Sequence, residues 1–150
     1  MGKQMKLGTI LTKTTPTVFL GGTCNESLWR DELIKLLNVN YFNPVVDDWT
    51  EEAQKNELYQ RENCEFVLYV LTPAMTGVYS IAESVDDSNK RPEKCLFCVL
   101  PTDNKLSFDK TQLKSLNMVK NMIAENGAKV FDSLEEIAEF LNSTVDLEKN

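Results

Sequence analysis

The chain predicts a doubly wound α/β fold, with a five-stranded parallel sheet and helices on both faces. Three observations predict it. Short apolar runs alternate five times with longer segments of helical spacing. The runs Phe66–Leu71 and Cys95–Leu100 are apolar at every position, as strands covered on both faces are. The length, 150 residues, suits one domain rather than two and is enough to bury a core without staples.

Taken in order, residues 1–15 are polar and Thr-rich and read as an extended or flexible lead-in. The remainder, 16–145, reads as a single domain without internal repeat or linker. Thr17-Val18-Phe19-Leu20 is the first strand, followed by the turn Gly21-Gly22. Leu28, Leu33, Ile34, Leu36 and Leu37 then fall at helical spacing, with Arg30, Asp31, Glu32 and Lys35 on the other face. Asn25 or Ser27 is the expected N-cap. Asn40-Tyr41-Phe42 is a second strand, stopped by Asn43-Pro44. Thr50 caps a polar helix that reaches about Asn63. Phe66–Leu71 is the third strand, ended by Pro73.

Residues 77–88 form the next helix, with Val78, Ile81, Ala82 and Val85 as its core stripe. Leu96 to Leu100 is the fourth strand, and a polar loop leads to a helix from about Asp109 to Glu125, closed by Asn126-Gly127. Lys129-Val130-Phe131 is the last strand, and Ser133 caps a final helix carrying Leu134, Ile137, Ala138 and Leu141 on one face. Five strands so spaced predict a flavodoxin-like, Rossmann-like three-layer sandwich with strand order 2-1-3-4-5.

Composition narrows the chemistry. Sixteen basic and 23 acidic residues give a net charge of −7, and the densest basic cluster is Lys90-Arg91 with Lys94 nearby. A nucleic-acid partner is therefore not expected. With no histidine, Ser-His-Asp triads, Cys-His dyads and histidine zinc sites are excluded. Catalysis must run on Asp, Glu, Cys, Tyr, Lys or backbone groups. The four cysteines are expected to be reduced and mostly buried, since Cys95 and Cys98 stand three apart on a strand and point to opposite faces. No metal and no cofactor is expected. No apolar stretch approaches the roughly 18–20 residues of a membrane span, and Met1 to Lys6 lacks the apolar core of a signal peptide. A cytoplasmic protein without a membrane partner is expected. Met118 and Met122 are either core or the face of a homo-oligomer.

In open α/β sheets, ligands bind beyond the carboxyl ends of the strands, where the strand order reverses. Here that point lies between the first and third strands. Gly21-Gly22-Thr23-Cys24-Asn25, Asn43 to Trp49, and Thr72 to Tyr79 all arrive there. The glycines read equally as close backbone approach to a ligand and as a plain turn. Asp47 and Asp48 can accept hydrogen bonds from a base or sugar, and Trp49 can stack; the competing reading is a solvated acidic loop. Tyr79 and Glu83 are four apart, one turn into the helix that begins near Thr76 and Gly77. A carboxylate there can be a nucleophile or base. On spacing alone, Glu83 reads more readily as an ordinary helix glutamate.

Three segments together resemble the nucleoside 2-deoxyribosyltransferase-like family: Val18-Phe19-Leu20-Gly21-Gly22-Thr23, Tyr41-Phe42-Asn43-Pro44 with Asp47-Asp48-Trp49, and Thr76-Gly77-Val78-Tyr79-Ser80-Ile81-Ala82-Glu83. The resemblance covers about residues 17–100. It implies cleavage of the N-glycosidic bond of a 2′-deoxynucleoside and transfer of the sugar to another base, through a covalent intermediate on a glutamate. By position, Glu83 is then the nucleophile and Tyr79 orients it. Gly22 and Thr23 line the cleft, Asp47 or Asp48 faces the base, and Trp49 is a wall. Met75-Thr76 stands where relatives often have an Asp before the glycine, so the resemblance assigns no acid to protonate the base.

The partners so implied are a small nucleoside or nucleotide and a free base, with a homo-oligomer expected. Two other readings stay open. One is a hydrolase of nucleosides, nucleotides or NAD-like molecules. The other is a nucleotide-binding sensor or sequestering protein that has no need of Glu83.

Overall fold

The computed structural model describes residues 15–24 and 26–149. Its elements, in chain order, are β1 (Thr17–Gly22), α1 (Trp29–Ile34), β2 (Asn40–Phe42), α2 (Glu51–Asn63), β3 (Phe66–Leu71), α3 (Tyr79–Lys90), β4 (Cys95–Val99), β5 (Thr102–Asp103), β6 (Leu106–Ser107), α4 (Lys110–Glu125), β7 (Lys129–Phe131) and α5 (Leu134–Lys149). Except for Thr15, the expected lead-in lies outside the described residues.

Five strands pair in parallel in the order β2-β1-β3-β4-β7, which is the predicted order for the five sheet strands. β5 and β6 form a separate antiparallel pair inside what the sequence presents only as a polar loop. The register between β1 and β3 sets Gly21 beside Tyr69 and Gly22 beside Val70. Strand residues alternate between two cores, one on each face of the sheet. Val18, Leu20, Leu68, Val70, Leu96 and Cys98 meet Trp29 and Leu33 of α1 and Ile137 and Leu141 of α5. Phe19, Val67, Tyr69, Leu71, Cys95 and Phe97 meet Leu116 and Ile123 of α4, with Ile81 and Val85 of α3 packed against them. Two-sided cover is why the runs Phe66–Leu71 and Cys95–Val99 carry no polar position. Cys95 and Cys98 lie in opposite cores, and all four cysteines are free.

Helix ends follow local chemistry where a side chain can cap. Thr50 accepts from the Ala53 N–H, and Asp109 with Gln112 completes a capping box. Ser133 accepts from Glu136, as expected of a cap.

Other details differ from the periodicity. α1 is short and begins after Leu28, which is 65% exposed and not in the core. Arg30, expected on the wet face, is buried together with Trp29. α3 starts at Tyr79 rather than residue 77, and its buried positions are Ser84, Asp87 and Ser88, while Val78 and Ala82 are exposed. Met118 and Met122 are exposed and do not belong to the core. Among the described residues, no helix is long and apolar enough to cross a membrane.

Candidate active site

A cavity of about 310 Å³ opens at the carboxyl ends of β1 and β3, where the strand order reverses. Gly21, Gly22 and Thr23 form one side, Thr76, Gly77 and Tyr79 another, and Trp49 a third. Glu83 lies among them. Asn25 lies outside the described residues. The loop after β2 presents Pro44, Val45, Val46 and Trp49 to the cavity. Asp47 and Asp48 face water instead, where carboxylates keep their hydration, and they do not line it.

Gly21 and Gly22, expected as a turn, instead end β1 in register with Tyr69 and Val70, and backbone packing requires glycine at Gly22. Gly22 has φ +117°, and a Cβ there would lie 2.1 Å from the Val70 carbonyl oxygen. Thr23 is 3% exposed, and its polar groups are committed to the scaffold. Its N–H donates to Val70, and its hydroxyl oxygen accepts from the Thr72 N–H at 2.9 Å. Its carbonyl accepts from Trp29 Nε1 at 2.8 Å and Arg30 Nη1 at 2.6 Å. Arg30 also donates to the carbonyls of Leu20 and Gly22. This explains its burial: the guanidinium closes carbonyls that the end of the sheet leaves unpaired. Burial holds its pKa below the usual arginine value, although the nearby Cys24 works the other way.

Charged side chains gather between α2 and α3. Glu83 is only 11% exposed at its side chain and meets Arg61 Nη1 at 3.4 Å through Oε2. Burial pushes its carboxyl up to about 7. The Arg61 guanidinium pulls it down, and the charges of Glu57 and Asp87 add to the push. Glu57, one turn before Arg61 on α2, lines the same cavity. Burial raises its carboxyl as well, against the pull of Arg61. One turn deeper, Asp87 is fully buried. It accepts from Tyr69 Oη at 2.5 Å, from Arg61 Nε at 3.0 Å and Nη2 at 3.2 Å, and from Arg91. For Arg61, burial is the largest single influence and lowers the pKa, but the bond to Asp87 and the charges of Tyr69, Asp87 and Glu83 together outweigh it and raise the pKa. Burial and then the Asp87 charge hold the Tyr69 phenol well above its usual value.

Sequence reasoning missed Glu57, Arg61 and Asp87 as parts of one centre. α2 is a helix without an apolar stripe, and its one buried residue is Arg61. The signal was there in the spacing: Glu57 and Arg61 are four apart, and so are Glu83 and Asp87. The Tyr79 phenol lines the cavity but is 70% exposed and makes no hydrogen bond among the described residues. The side chain that reaches Glu83 is Arg61. Among the described residues, no three His, Cys, Asp or Glu side chains gather as a metal site.

Two partly buried carboxyls on a mainly apolar cavity suit acid–base and nucleophilic chemistry on a small, largely uncharged substrate. No curated protein matches the chain. The family model described as nucleoside 2-deoxyribosyltransferase like matches residues 15–101. That span holds β1 through β4, including both glycines at the end of β1, and both Glu57 and Glu83. The chain belongs to the nucleoside 2-deoxyribosyltransferase-like family.

Proposed function

We propose that the protein cleaves the N-glycosidic bond of a 2′-deoxynucleoside through Glu83 and passes the deoxyribosyl group to a second base. The observation that carries the reading is the pair Glu83 and Glu57, two partly buried carboxyls from facing helices on one cavity. A retaining mechanism at an anomeric carbon needs two such groups. One, as carboxylate, attacks. The other, as acid, delivers a proton.

In this reading Glu83 attacks C1′ as the carboxylate. A C1′–O bond forms as the C1′–N bond breaks, and the electron pair goes to the base nitrogen. Glu57 supplies the proton that nitrogen takes. The incoming base then attacks C1′, Glu83 leaves, and the proton of the incoming base returns to Glu57. Water in place of the second base gives hydrolysis.

Gly22, Thr23, Thr76 and Gly77 line the cleft, and Trp49 and Tyr79 offer aromatic faces to a base. Arg30 is the one cation lining the cavity among the described residues, and its donors go to backbone carbonyls. That favours the nucleoside over its 5′-phosphate. A homo-oligomer in the cytoplasm belongs to the same reading, with the exposed Met118 and Met122 as apolar surface for a second copy.

The test is incubation with each natural 2′-deoxynucleoside plus adenine or cytosine, followed by chromatography beside Glu83→Ala. A new deoxynucleoside, absent with the variant, is expected. Free base without exchange moves the assignment to a hydrolase. Binding without any turnover sinks the catalytic reading in favour of a nucleotide-binding protein.

A further inference from the structure

We propose that Asp87 is a positioning residue for Glu83: it holds the Arg61 guanidinium in a fork turned away from the nucleophile. The proposal rests on the assignment of Glu83 above. Three facts carry it. Asp87 takes both Nε and Nη2 of Arg61, at 3.0 and 3.2 Å, which is the two-point geometry arginine prefers with a carboxylate. Glu83 receives only Nη1, at 3.4 Å, a long single contact. Asp87 is itself fixed, being fully buried and held by Tyr69 and Arg91.

The consequence is a division of one cation between two carboxylates. A full fork on Glu83 would occupy the oxygen lone pairs that must reach C1′ and would stabilise the charge that attack disperses. With the fork on Asp87, Arg61 orients Glu83 without capturing it. The other groups around Glu83 are Glu57 and Arg61 from α2, Asp86, Asp87 and Tyr79 from α3, Tyr69 from β3, and Arg30 across the cavity. Asp86 takes part of Arg61 Nη2 at 3.2 Å but is also paired with Lys90 and is half-exposed, so it cannot substitute for the buried acceptor. Neutralising Asp87 therefore frees Arg61 to turn onto Glu83.

The experiment is a carbon-13 NMR titration of glutamate side-chain carboxyls in the full chain, with the Glu83 signal assigned by Glu83→Gln. Asp87→Asn is expected to lower the Glu83 midpoint by about one pH unit, because Arg61, already in single contact, can then add a second charge-assisted hydrogen bond. Arg61→Met is expected to raise it by about 1–3 units, the range for losing an opposite charge at this distance. The double variant is expected to abolish most of the fall, since the guanidinium that would capture Glu83 is gone. A midpoint unmoved by Asp87→Asn overturns the proposal. So does an equal fall with and without Arg61, which would mean that Asp87 acts by its own charge. Should Asp87→Asn not fold, Asp87→Glu decides: it keeps the charge but displaces the fork on Arg61, and a Glu83 midpoint unmoved by it overturns the proposal. These readouts need no turnover. Absence of turnover in the wild-type protein overturns the glycosidic reading instead, and with it the catalytic purpose of the placement, while the titration still reports where Arg61 sits. Where turnover is present, Asp87→Asn is expected to lower kcat more than it changes KM.

Discussion

Glu83 Oε2 and Arg61 Nη1 meet at a single point, 3.4 Å apart, with both side chains almost closed off from water. An exposed pair at that distance would have little effect. Here the low-dielectric surroundings make desolvation the larger influence, so Glu83 stays a weak acid despite its cation. A poorly paired, poorly solvated carboxylate is a better nucleophile than a hydrated one at the same site.

The first prediction is a pH profile. In the proposed mechanism attack requires ionised Glu83, whose carboxyl is pushed up to about 7. The value of kcat/KM for a deoxynucleoside is therefore expected to rise with pH towards about 7 and to fall again where Glu57, the proton donor, ionises. An acid limb near pH 4.5, where an unperturbed glutamate titrates, counts against burial as the controlling influence. Any alkaline fall reports the acid partner, and Glu57→Gln is expected to remove it.

The second prediction concerns stability. Glu83 has a folded-state pKa above its unfolded value, so between about pH 4.5 and 7 the folded chain binds more protons. Its contribution to stability therefore falls as pH rises through that window. Glu83→Gln removes the ionisation. The variant is expected to be close to wild type at pH 4.5 and more stable by about 1–3 kcal/mol at pH 8. Thermal unfolding at the two pH values checks this, and a variant less stable at pH 8 means that the Arg61 contact outweighs desolvation.

A third prediction uses the thiols. Burial holds Cys64 up at about 11 and Cys95 and Cys98 up at about 12, whereas Cys24 is exposed on the cavity wall. Alkylation of the native protein at pH 8 is expected to add one group per chain, at Cys24. A bound deoxynucleoside is expected to slow that reaction. Intact-mass analysis reads the number, and two or more adducts on the folded chain contradict the burial assignment.

The sheet was legible because its physics is local and periodic. Strands covered on both faces, such as Phe66–Leu71, must be apolar throughout, and the alternation with helices leaves few topologies. The helix faces were less legible. Arg30 carries charge and so resembles a surface residue, yet it is buried because backbone carbonyls of β1 and its loop need donors. Asp87 faces inward because Tyr69 and Arg61 bond it there, while the buried Ser84 and Ser88 hydroxyls donate to the Ile81 and Val85 carbonyls of their own helix, a face that no apolar periodicity detects. Glu83 was visible through its family resemblance and Tyr79 through its spacing, whereas Glu57 came to the cavity only through the packing of a helix with no apolar stripe.

The last prediction separates two glycines that the sequence presents alike. Gly22 combines φ +117° with a Cβ position 2.1 Å from the Val70 oxygen and 2.6 Å from its nitrogen. Backbone there cannot move without breaking the pairing of β1 with β3, so strain and overpacking add. Gly22→Ala is expected to cost about 2–5 kcal/mol by urea unfolding, and to cripple the site by displacing the Thr23 amide from Val70. Gly77 has nothing within 4 Å of its Cβ position. Gly77→Ala is expected to leave stability unchanged or raised by up to about 1 kcal/mol, since alanine narrows the unfolded ensemble. Its Cβ would still stand at the rim of the cavity, so any loss of activity without loss of stability assigns Gly77 to substrate access. Equal tolerance at both positions would refute the close packing of β1 on β3 as the reason for glycine at Gly22.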